Sequence, residues 1–265
     1  MDRRSFRHGD LTLSYLDAGG QGPAVVALPA HWMEARTYAP LAAALAPDWR
    51  VVALDQRGHG FSDRATRYDR EDYLGDALAL CDHLGLRAPV LLGSSLGGVN
   101  AYQLAARHPD RVRGLVVEDI GAVLADDQSF VLAWAGLFPT RGALAERVGP
   151  RLAPYLAEAF RETRDGWRLA FEPADMVASQ RALNGDHWAD WLASRCPALL
   201  VRGGASRLTT AEHLAEMAAR RPGTRLLTLD AGHVVHADAP GPFAEAVRGF
   251  LRELDASKNA SPGRA

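Results

Sequence analysis

Short apolar runs alternate with longer amphipathic segments along most of the 265-residue chain. Runs rich in valine and leucine, typical of strands buried on both faces of a parallel sheet, occupy residues 24–28, 51–54, 89–92, 115–117, 198–201 and 225–229. Amphipathic helical segments lie between or after them, at residues 39–45, 70–84, 99–107, 211–219 and 242–254. This alternation predicts an α/β fold with a mostly parallel, doubly wound sheet. Residues 12–16 add an early strand of antiparallel type.

The interval 120–184 interrupts this alternation, because it carries helical patterns rich in aromatic residues. We interpret it as a helical cap inserted over one edge of the sheet. Most of its aromatic side chains should pack the cap onto the sheet. Trp134 and Phe138, at helical spacing, are candidates for a substrate pocket together with Trp32. The sequence thus predicts one domain, 1–254, followed by a polar and disordered tail at 255–265.

Composition narrows the classes of partner. Hydrophobic residues make up 48% and charged residues 23%, as in ordinary globular proteins. The formal net charge of −2 gives no long-range attraction for nucleic acid or an anionic membrane. A small-molecule substrate is therefore the predicted partner, with no nucleic acid and no membrane. The sole lysine, Lys258, lies in the polar tail, which argues against Schiff-base chemistry and a Walker-type phosphate site.

The two cysteines and the N-terminal segment suggest a compartment. Cys81 and Cys196 have neither metal-ligand spacing nor an evident disulfide role. Residues 1–10 are basic but lack the apolar core of a signal peptide. We therefore expect a cytoplasmic protein. No metal or organic cofactor is expected either, because no ligand cluster or dinucleotide fingerprint occurs.

The segment 93–98 carries the strongest chemical signal. It reads Gly-Ser-Ser-Leu-Gly-Gly, directly after a strand run and directly before a helical pattern. A nucleophile elbow requires this context, with glycines two residues before and two after the serine. The turn places Ser95 at a helix N-terminus, where backbone N–H groups favour a developing oxyanion. A glycine-rich turn that merely joins strand and helix is the alternative.

A serine hydroxyl needs a base to take its proton, so a histidine is expected downstream in an exposed turn. His233, preceded by glycine, follows the last strand run and precedes the final helix. Its position gives the order serine, acid, histidine along the chain. His236, three residues on, is the rival base.

Three segments together resemble the α/β-hydrolase superfamily over residues 11–254: the elbow, the Gly232-His233 turn, and residues 55–63, which read Asp-Gln-Arg-Gly-His-Gly-Phe-Ser-Asp. The resemblance implies a structural turn at 55–63 and a cap that closes over the pocket and shapes selectivity. Members usually carry His-Gly after the strand that ends here at Leu28, whereas this chain has Pro29-Ala30. The backbone N–H groups of His31 and Leu96 are the oxyanion-hole donors that the resemblance implies.

The triad acid is the second departure from the family. Many members place an aspartate in the turn after the strand run 198–201, but residues 202–207 contain no carboxylate. Other members take the acid from the end of the strand after the elbow helix, where Glu118 and Asp119 stand. Asp119 falls just past the strand end and is the predicted acid. Glu118 at the strand end, and no acid at all, are the alternatives.

A serine nucleophile argues against the haloalkane dehalogenase and epoxide hydrolase branches of the superfamily, in which a carboxylate is the nucleophile. The predicted function is hydrolysis of a carboxylic ester, lactone or thioester of a small molecule through an acyl-serine intermediate. Carbon–carbon bond hydrolysis and acyl transfer reuse the same Ser-His-Asp triad and remain open. A ligand-binding protein with weak turnover is a third class, favoured only by the altered 29–30 loop and the relocated acid.

Overall fold

Eight strands form the central sheet of the computed structural model, which describes residues 1–259. They are β1 (Asp2–His8), β2 (Leu11–Asp17), β3 (Ala24–Leu28), β4 (Arg50–Leu54), β5 (Val90–Ser94), β6 (Gly114–Glu118), β11 (Ala198–Gly203) and β12 (Thr224–Leu229). Four short strands lie outside this sheet: β7 (Val123–Leu124), β8 (Phe160–Thr163), β9 (Gly166–Leu169) and β10 (Gly185–Asp186). The order across the sheet is β1-β2-β4-β3-β5-β6-β11-β12, with antiparallel pairing only for β1 with β2 and β2 with β4. The predicted α/β-hydrolase fold with a mostly parallel, doubly wound sheet is confirmed.

Helices cover both faces of the sheet. Along the described chain they are α1 (Ala39–Leu45), α2 (Arg70–His83), α3 (Leu96–Arg107), α4 (Arg141–Val148), α5 (Pro173–Leu183), α6 (Trp188–Ala193), α7 (Ala211–Arg220), α8 (Val235–Asp238) and α9 (Pro240–Asn259). Successive strand residues point to opposite faces. In β3, Val25 and Ala27 pack in the core cluster of α1 and α9, whereas Val26 and Leu28 pack in the cluster of α2 and α3. The central strands β3, β5 and β6 are almost entirely apolar because both of their faces are buried.

The cap between β6 and β11 is more mixed than the sequence predicted. It contains α4 and α5, but also the antiparallel hairpin of β8 and β9. Its two ends are held together where β7 pairs with β10, at Leu124 opposite Gly185. The predicted helical cap is present, and it also contains one hairpin that the sequence did not predict. Each strand of this hairpin has only four residues, which is too few to show a recognisable alternation of apolar and polar side chains in the sequence.

Two terminal segments also differ from expectation. β1 was not predicted, because only Phe6 of this edge strand is buried and its other residues carry no apolar alternation. Helix α9 extends to Asn259, so residues 255–259 are helical where a disordered tail was predicted. Asp255 explains the extension, since its carboxylate accepts hydrogen bonds from Trp49 Nε1 at 3.2 Å and Arg113 at 2.6 Å. Residues 260–265 lie outside the described residues.

Candidate active site

Ser95 occupies a tight turn between β5 and α3. Its φ of 51° and ψ of −117° lie in a region that a side chain rarely adopts, at a cost of about 1–3 kcal/mol. A Cβ atom on Gly93 would lie 2.0 Å from the carbonyl oxygen of Gly97, and one on Gly97 would lie 1.9 Å from that of Leu28. The two glycines flanking the elbow are therefore dictated by close backbone approach, which presents Ser95 at the carboxyl edge of the sheet.

Asp119 and His233 meet at the same edge. His233 Nδ1 lies 2.7 Å from Asp119 Oδ2. Ser95 is held nearby, because its backbone N–H donates to the carbonyl oxygen of Glu118 at 3.1 Å. Nδ1 donates its proton to the carboxylate, so Nε2 of the neutral ring carries the lone pair that a general base needs. Within the described residues Ser95 Oγ has no direct hydrogen bond to His233, a contact that in enzymes often tightens only when substrate is bound.

Four donors surround the Asp119 carboxylate, which is fully buried. Besides His233 they are the Gly203 backbone N–H at 3.0 Å, the Thr209 hydroxyl at 2.8 Å and the Ser206 hydroxyl. Burial by itself would raise the pKa of Asp119, but the hydrogen bonds from His233, Ser206 and Thr209 outweigh it and lower that pKa below its ordinary value. Sequence reasoning missed Ser206 and Thr209 as partners, although Ser206 stands in the turn where many family members carry the acid and Thr209 follows two residues after that turn.

The lowered pKa of Asp119 makes part of the folding stability depend on pH. A carboxyl group with a depressed native pKa contributes fully above its unfolded pKa, here 3.8, and loses that contribution as pH falls through the native value. The stability difference between wild type and Asp119→Asn should therefore be constant from pH 7 to about 5 and shrink below about 4. Urea unfolding across this range measures it, with exposed Asp165→Asn as control. A difference that stays constant down to pH 3 contradicts the stabilised carboxylate.

The predicted oxyanion donors are backbone N–H groups of the loop after β3, at His31, and of the first residue of α3, at Leu96. Within residues 1–259 neither the backbone N–H of His31 nor that of Leu96 has a hydrogen-bond partner, so both are free to donate. Leu96 is the first residue of α3, whose N-terminus adds a partial positive charge. The unusual Pro29-Ala30 segment is anchored from behind, since Gln56 Nε2 donates to the Pro29 carbonyl oxygen at 2.6 Å and Asn100 Nδ2 donates to Gln56 Oε1 at 2.6 Å. The sequence carried no signal for this anchor.

The His31 side chain connects the oxyanion segment, residues 29–31 after β3, to the cap. Its Nε2 lies 2.8 Å from the Ser179 hydroxyl on α5, which also contacts the Tyr73 hydroxyl at 2.8 Å. Burial, reinforced by the nearby charges of His59 and Arg70, lowers the pKa of His31 well below its usual range. The imidazole is therefore neutral, and it fixes the cap to the loop that carries the oxyanion donor.

The three predicted pocket residues do not lie together. Trp32 and Trp134 form an edge-to-face pair with ring centroids 5.4 Å apart, and Phe130 packs against both at 6.0 and 5.5 Å. Phe138 lies elsewhere in the cap, where its backbone pairs with Trp167 at 2.7 and 2.8 Å and its ring lies under Arg147. The structure thus places Trp32 and Trp134 beside the oxyanion segment and Phe138 beside the cap hairpin.

Two cavities border the cap. The cavity nearer the catalytic loops, of about 360 Å³, is lined by Trp32 and Thr37 after the oxyanion segment, by Ala237 after His233, and by cap residues that include Tyr155. The other, of about 490 Å³, lies among cap residues that include Ala145 and Phe160. Neither lining includes Ser95, Asp119 or His233, so the first cavity borders the catalytic loops without containing the catalytic side chains.

The placement of the aromatic residues makes Phe138→Ala a matched control for Trp134→Ala. Replacing Trp134 by alanine opens space beside the oxyanion segment. The ratio of kcat/KM for long acyl esters to kcat/KM for short ones should therefore differ from the wild-type ratio by about 10-fold or more. Shrinking Phe138 should lower the unfolding temperature and leave that ratio within about twofold. Kinetics on a homologous ester series and thermal unfolding measure both effects. Equal losses on every ester for Trp134→Ala would make that residue purely structural.

The described residues contain neither a group of three or more His, Cys, Asp or Glu side chains placed to hold a metal ion nor a helix long and apolar enough to cross a membrane. Most of the other histidines have structural partners, and His108, whose side chain has none among the described residues, is exposed on the surface. His8 contacts Asp76 at 2.8 Å, and His187 contacts the Leu183 carbonyl oxygen at 2.7 Å. His233 is the histidine that combines a carboxylate partner, Asp119, with a place at the sheet edge that carries Ser95.

The fold and this site define the class of the protein. A family model described as the alpha/beta hydrolase family matches residues 18–246, so the chain belongs to that family. The match spans the strands from β3 to β12, the cap, the elbow and the histidine turn.

Individual relatives share nearly the whole chain. It is 28% identical over 264 residues to the 2-(acetamidomethylene)succinate hydrolase of Mesorhizobium japonicum, with 92% of each chain covered. It is 30% identical to the 2-hydroxymuconate semialdehyde hydrolase of a Pseudomonas species, with 90% of this chain and 86% of that protein covered. The crystal structure of an E-2-(acetamidomethylene)succinate hydrolase superposes with a TM-score of 0.84 at 27% identity, covering 95% of this chain and 99% of the other. Both of these curated relatives are named as hydrolases, and this chain is an esterase-like hydrolase of the same family.

Proposed function

We propose that the chain hydrolyses a carboxylic ester, lactone or thioester of a small molecule through an acyl intermediate on Ser95. The observation that carries the proposal is the strained, glycine-flanked Ser95 at the same sheet edge as the Asp119–His233 pair. In a nucleophile elbow the catalytic residue is held at positive φ on a strand-to-helix turn, and this strained conformation exposes its side chain to the substrate.

The mechanism follows from the positions of these groups. His233 Nε2 takes the Ser95 hydroxyl proton while Oγ attacks the substrate carbonyl carbon. The oxygen that becomes negative accepts hydrogen bonds from the free N–H groups of His31 and Leu96. The tetrahedral intermediate collapses when the bond to the leaving group breaks and His233 returns the proton to that group. Water, deprotonated by His233, then attacks the acyl-serine, and the acid is released as Ser95 regains its proton.

Throughout this sequence Asp119 stays ionised. Its hydrogen bond to Nδ1 keeps the imidazole in the tautomer that exposes Nε2, and its charge stabilises the imidazolium that forms in each step. The surrounding donors Gly203, Ser206 and Thr209 keep the carboxylate in place and ionised.

Covalent labelling tests the proposal. A fluorophosphonate should modify wild-type protein at Ser95, as located by peptide mass spectrometry, and the modification should block ester hydrolysis. Ser94→Ala is the matched control, because Ser94 is the adjacent serine but is fully buried at the end of β5. Label on Ser94, or folded wild-type protein that takes no label, contradicts the acyl-serine mechanism.

Carbon–carbon bond hydrolysis is the second candidate, since the relative at 30% identity is named for a semialdehyde and not for an ester. The same serine, histidine and aspartate would serve it. Comparing kcat/KM for an aryl ester and for a diketone that carries the same acyl group separates the two reactions. A preference for the diketone of 100-fold or more, on the order of a few kcal/mol of transition-state binding, would favour the second candidate.

The compartment and partners remain proposals. Cys81 and Cys196 are both unpaired, as is usual for proteins of a reducing compartment. We therefore place the protein in the cytoplasm with a small-molecule substrate, and with neither nucleic acid nor membrane as partner.

A further inference from the structure

A second carboxylate–histidine pair lies beside the catalytic one. The Glu118 carboxylate, fully buried at the end of β6, accepts hydrogen bonds from the backbone N–H of His236 at 2.9 Å and from its ring Nδ1 at 2.8 and 2.9 Å. The two residues that rivalled Asp119 and His233 in the sequence are thus paired with each other. Within residues 1–259 neither side chain forms a hydrogen bond with Ser95 or His233.

The pair continues into a third side chain. His236 Nε2 lies 2.6 Å from the Thr37 hydroxyl. Because Nδ1 donates to Glu118, Nε2 of the neutral ring accepts, and the Thr37 O–H is the donor. Tyr38 and Phe243 pack on the His236 ring, with centroids 4.7 and 6.1 Å away, and only 2% of that side chain is exposed. The ring is held by hydrogen bonds at both nitrogens and by aromatic contacts.

These three side chains belong to the three segments that carry the catalytic groups. Glu118 precedes Asp119, and its carbonyl oxygen receives the Ser95 N–H at 3.1 Å. His236 follows His233 by three residues, within the single turn of α8. Thr37 lies in the 3₁₀ helix Ala35–Tyr38, which follows the oxyanion segment.

We propose that Thr37, His236 and Glu118 are positioning residues, which hold the oxyanion segment, the base loop and the acid-bearing strand end in register. His233 needs such support, because its side chain is 23% exposed and its protein hydrogen bond is the one to Asp119. A displacement of about 1 Å between reacting groups costs about 100-fold in rate. Removing the hydrogen bonds that join Thr37, His236 and Glu118 should therefore lower kcat more than it changes KM. This inference rests on the proposed function of Ser95.

Thr37→Val and Thr37→Ser form the decisive pair. Thr37 is only partly buried, so both variants should fold. Valine keeps the shape but removes the O–H donor, and we expect kcat to fall about 10- to 100-fold with KM within about twofold. Serine restores the donor and should recover most of the loss. The low-field proton resonance of the His233 Nδ1–H bound to Asp119 should shift or broaden in the valine variant and return in the serine variant.

Other outcomes overturn the proposal. Equal rates in the two variants show that the hydroxyl is irrelevant, and a rate loss with an unchanged His233 resonance shows that Thr37 acts elsewhere. Fluorophosphonate attached to Thr37 in Ser95→Ala protein would make Thr37 a nucleophile and not a positioning residue. The resonance needs no turnover, so it tests the link even if ester hydrolysis by Ser95 fails.

Discussion

Ser95→Ala is expected to lower kcat for ester hydrolysis by about a millionfold, because the nucleophile, base and acid act as a unit and the remaining groups cannot form the acyl intermediate. The binding of substrate should change little. Steady-state kinetics measures the first effect and inhibition by a non-reactive ester analogue the second. Retained wild-type turnover would remove Ser95 from the mechanism.

The stability of the same variant separates chemistry from folding. Alanine keeps a Cβ atom at φ 51°, so the backbone strain persists and the free energy of unfolding should stay within about 0.5 kcal/mol of wild type. Ser95→Gly relieves that strain and should be more stable than the alanine variant by up to about 1 kcal/mol. His233→Ala should be as inactive as Ser95→Ala, and the double variant no worse than either. Additive losses would show that the two residues act independently.

Asp119→Asn is expected to lower kcat by about ten-thousandfold. The asparagine amide donates to Nδ1 of His233, which places the proton on Nε2 and leaves no lone pair facing Ser95. Glu118→Gln is the matched control. A glutamine can donate to Nδ1 of His236, and the reversed His236 tautomer can donate to Thr37, so the positioning link survives and the loss should be far smaller. Wild-type rates in Asp119→Asn, or a loss of activity confined to Glu118→Gln, would show that Asp119 is not the acid of the triad.

Ser206→Asp sharpens this test. The Ser206 hydroxyl contacts Asp119 Oδ2, the oxygen that also receives the His233 proton. A carboxylate at position 206 in the Asp119→Asn background should therefore restore part of the rate. In wild-type protein the same change should reduce activity, because two carboxylates would share one buried site. Failure to restore any rate, in a variant shown to be folded, would mean that position 206 cannot reach the imidazole.

Local sterics explain why the elbow was predictable. Gly93 and Gly97 have no room for a Cβ atom, because backbone atoms a few residues away or on the adjacent strand lie too close. A short glycine-containing motif after a strand run is therefore enough to predict the elbow. The parallel strands were equally readable, since burial on both faces leaves continuous apolar runs. The edge strand β1 and the cap hairpin were not, because exposed short strands lack that pattern.

By itself the sequence determined the fold class, the serine at the elbow and the two histidines from which a base could come, because each depends on local pattern. Only the tertiary structure decided how the two carboxylates and two histidines pair. Glu118 and Asp119 are adjacent, but the positive φ of Asp119, 45°, turns the chain after β6, so that one side chain meets His236 and the next meets His233. Which partner each acid finds depends on residues more than 100 positions away, and contacts over that distance leave no periodicity in one chain.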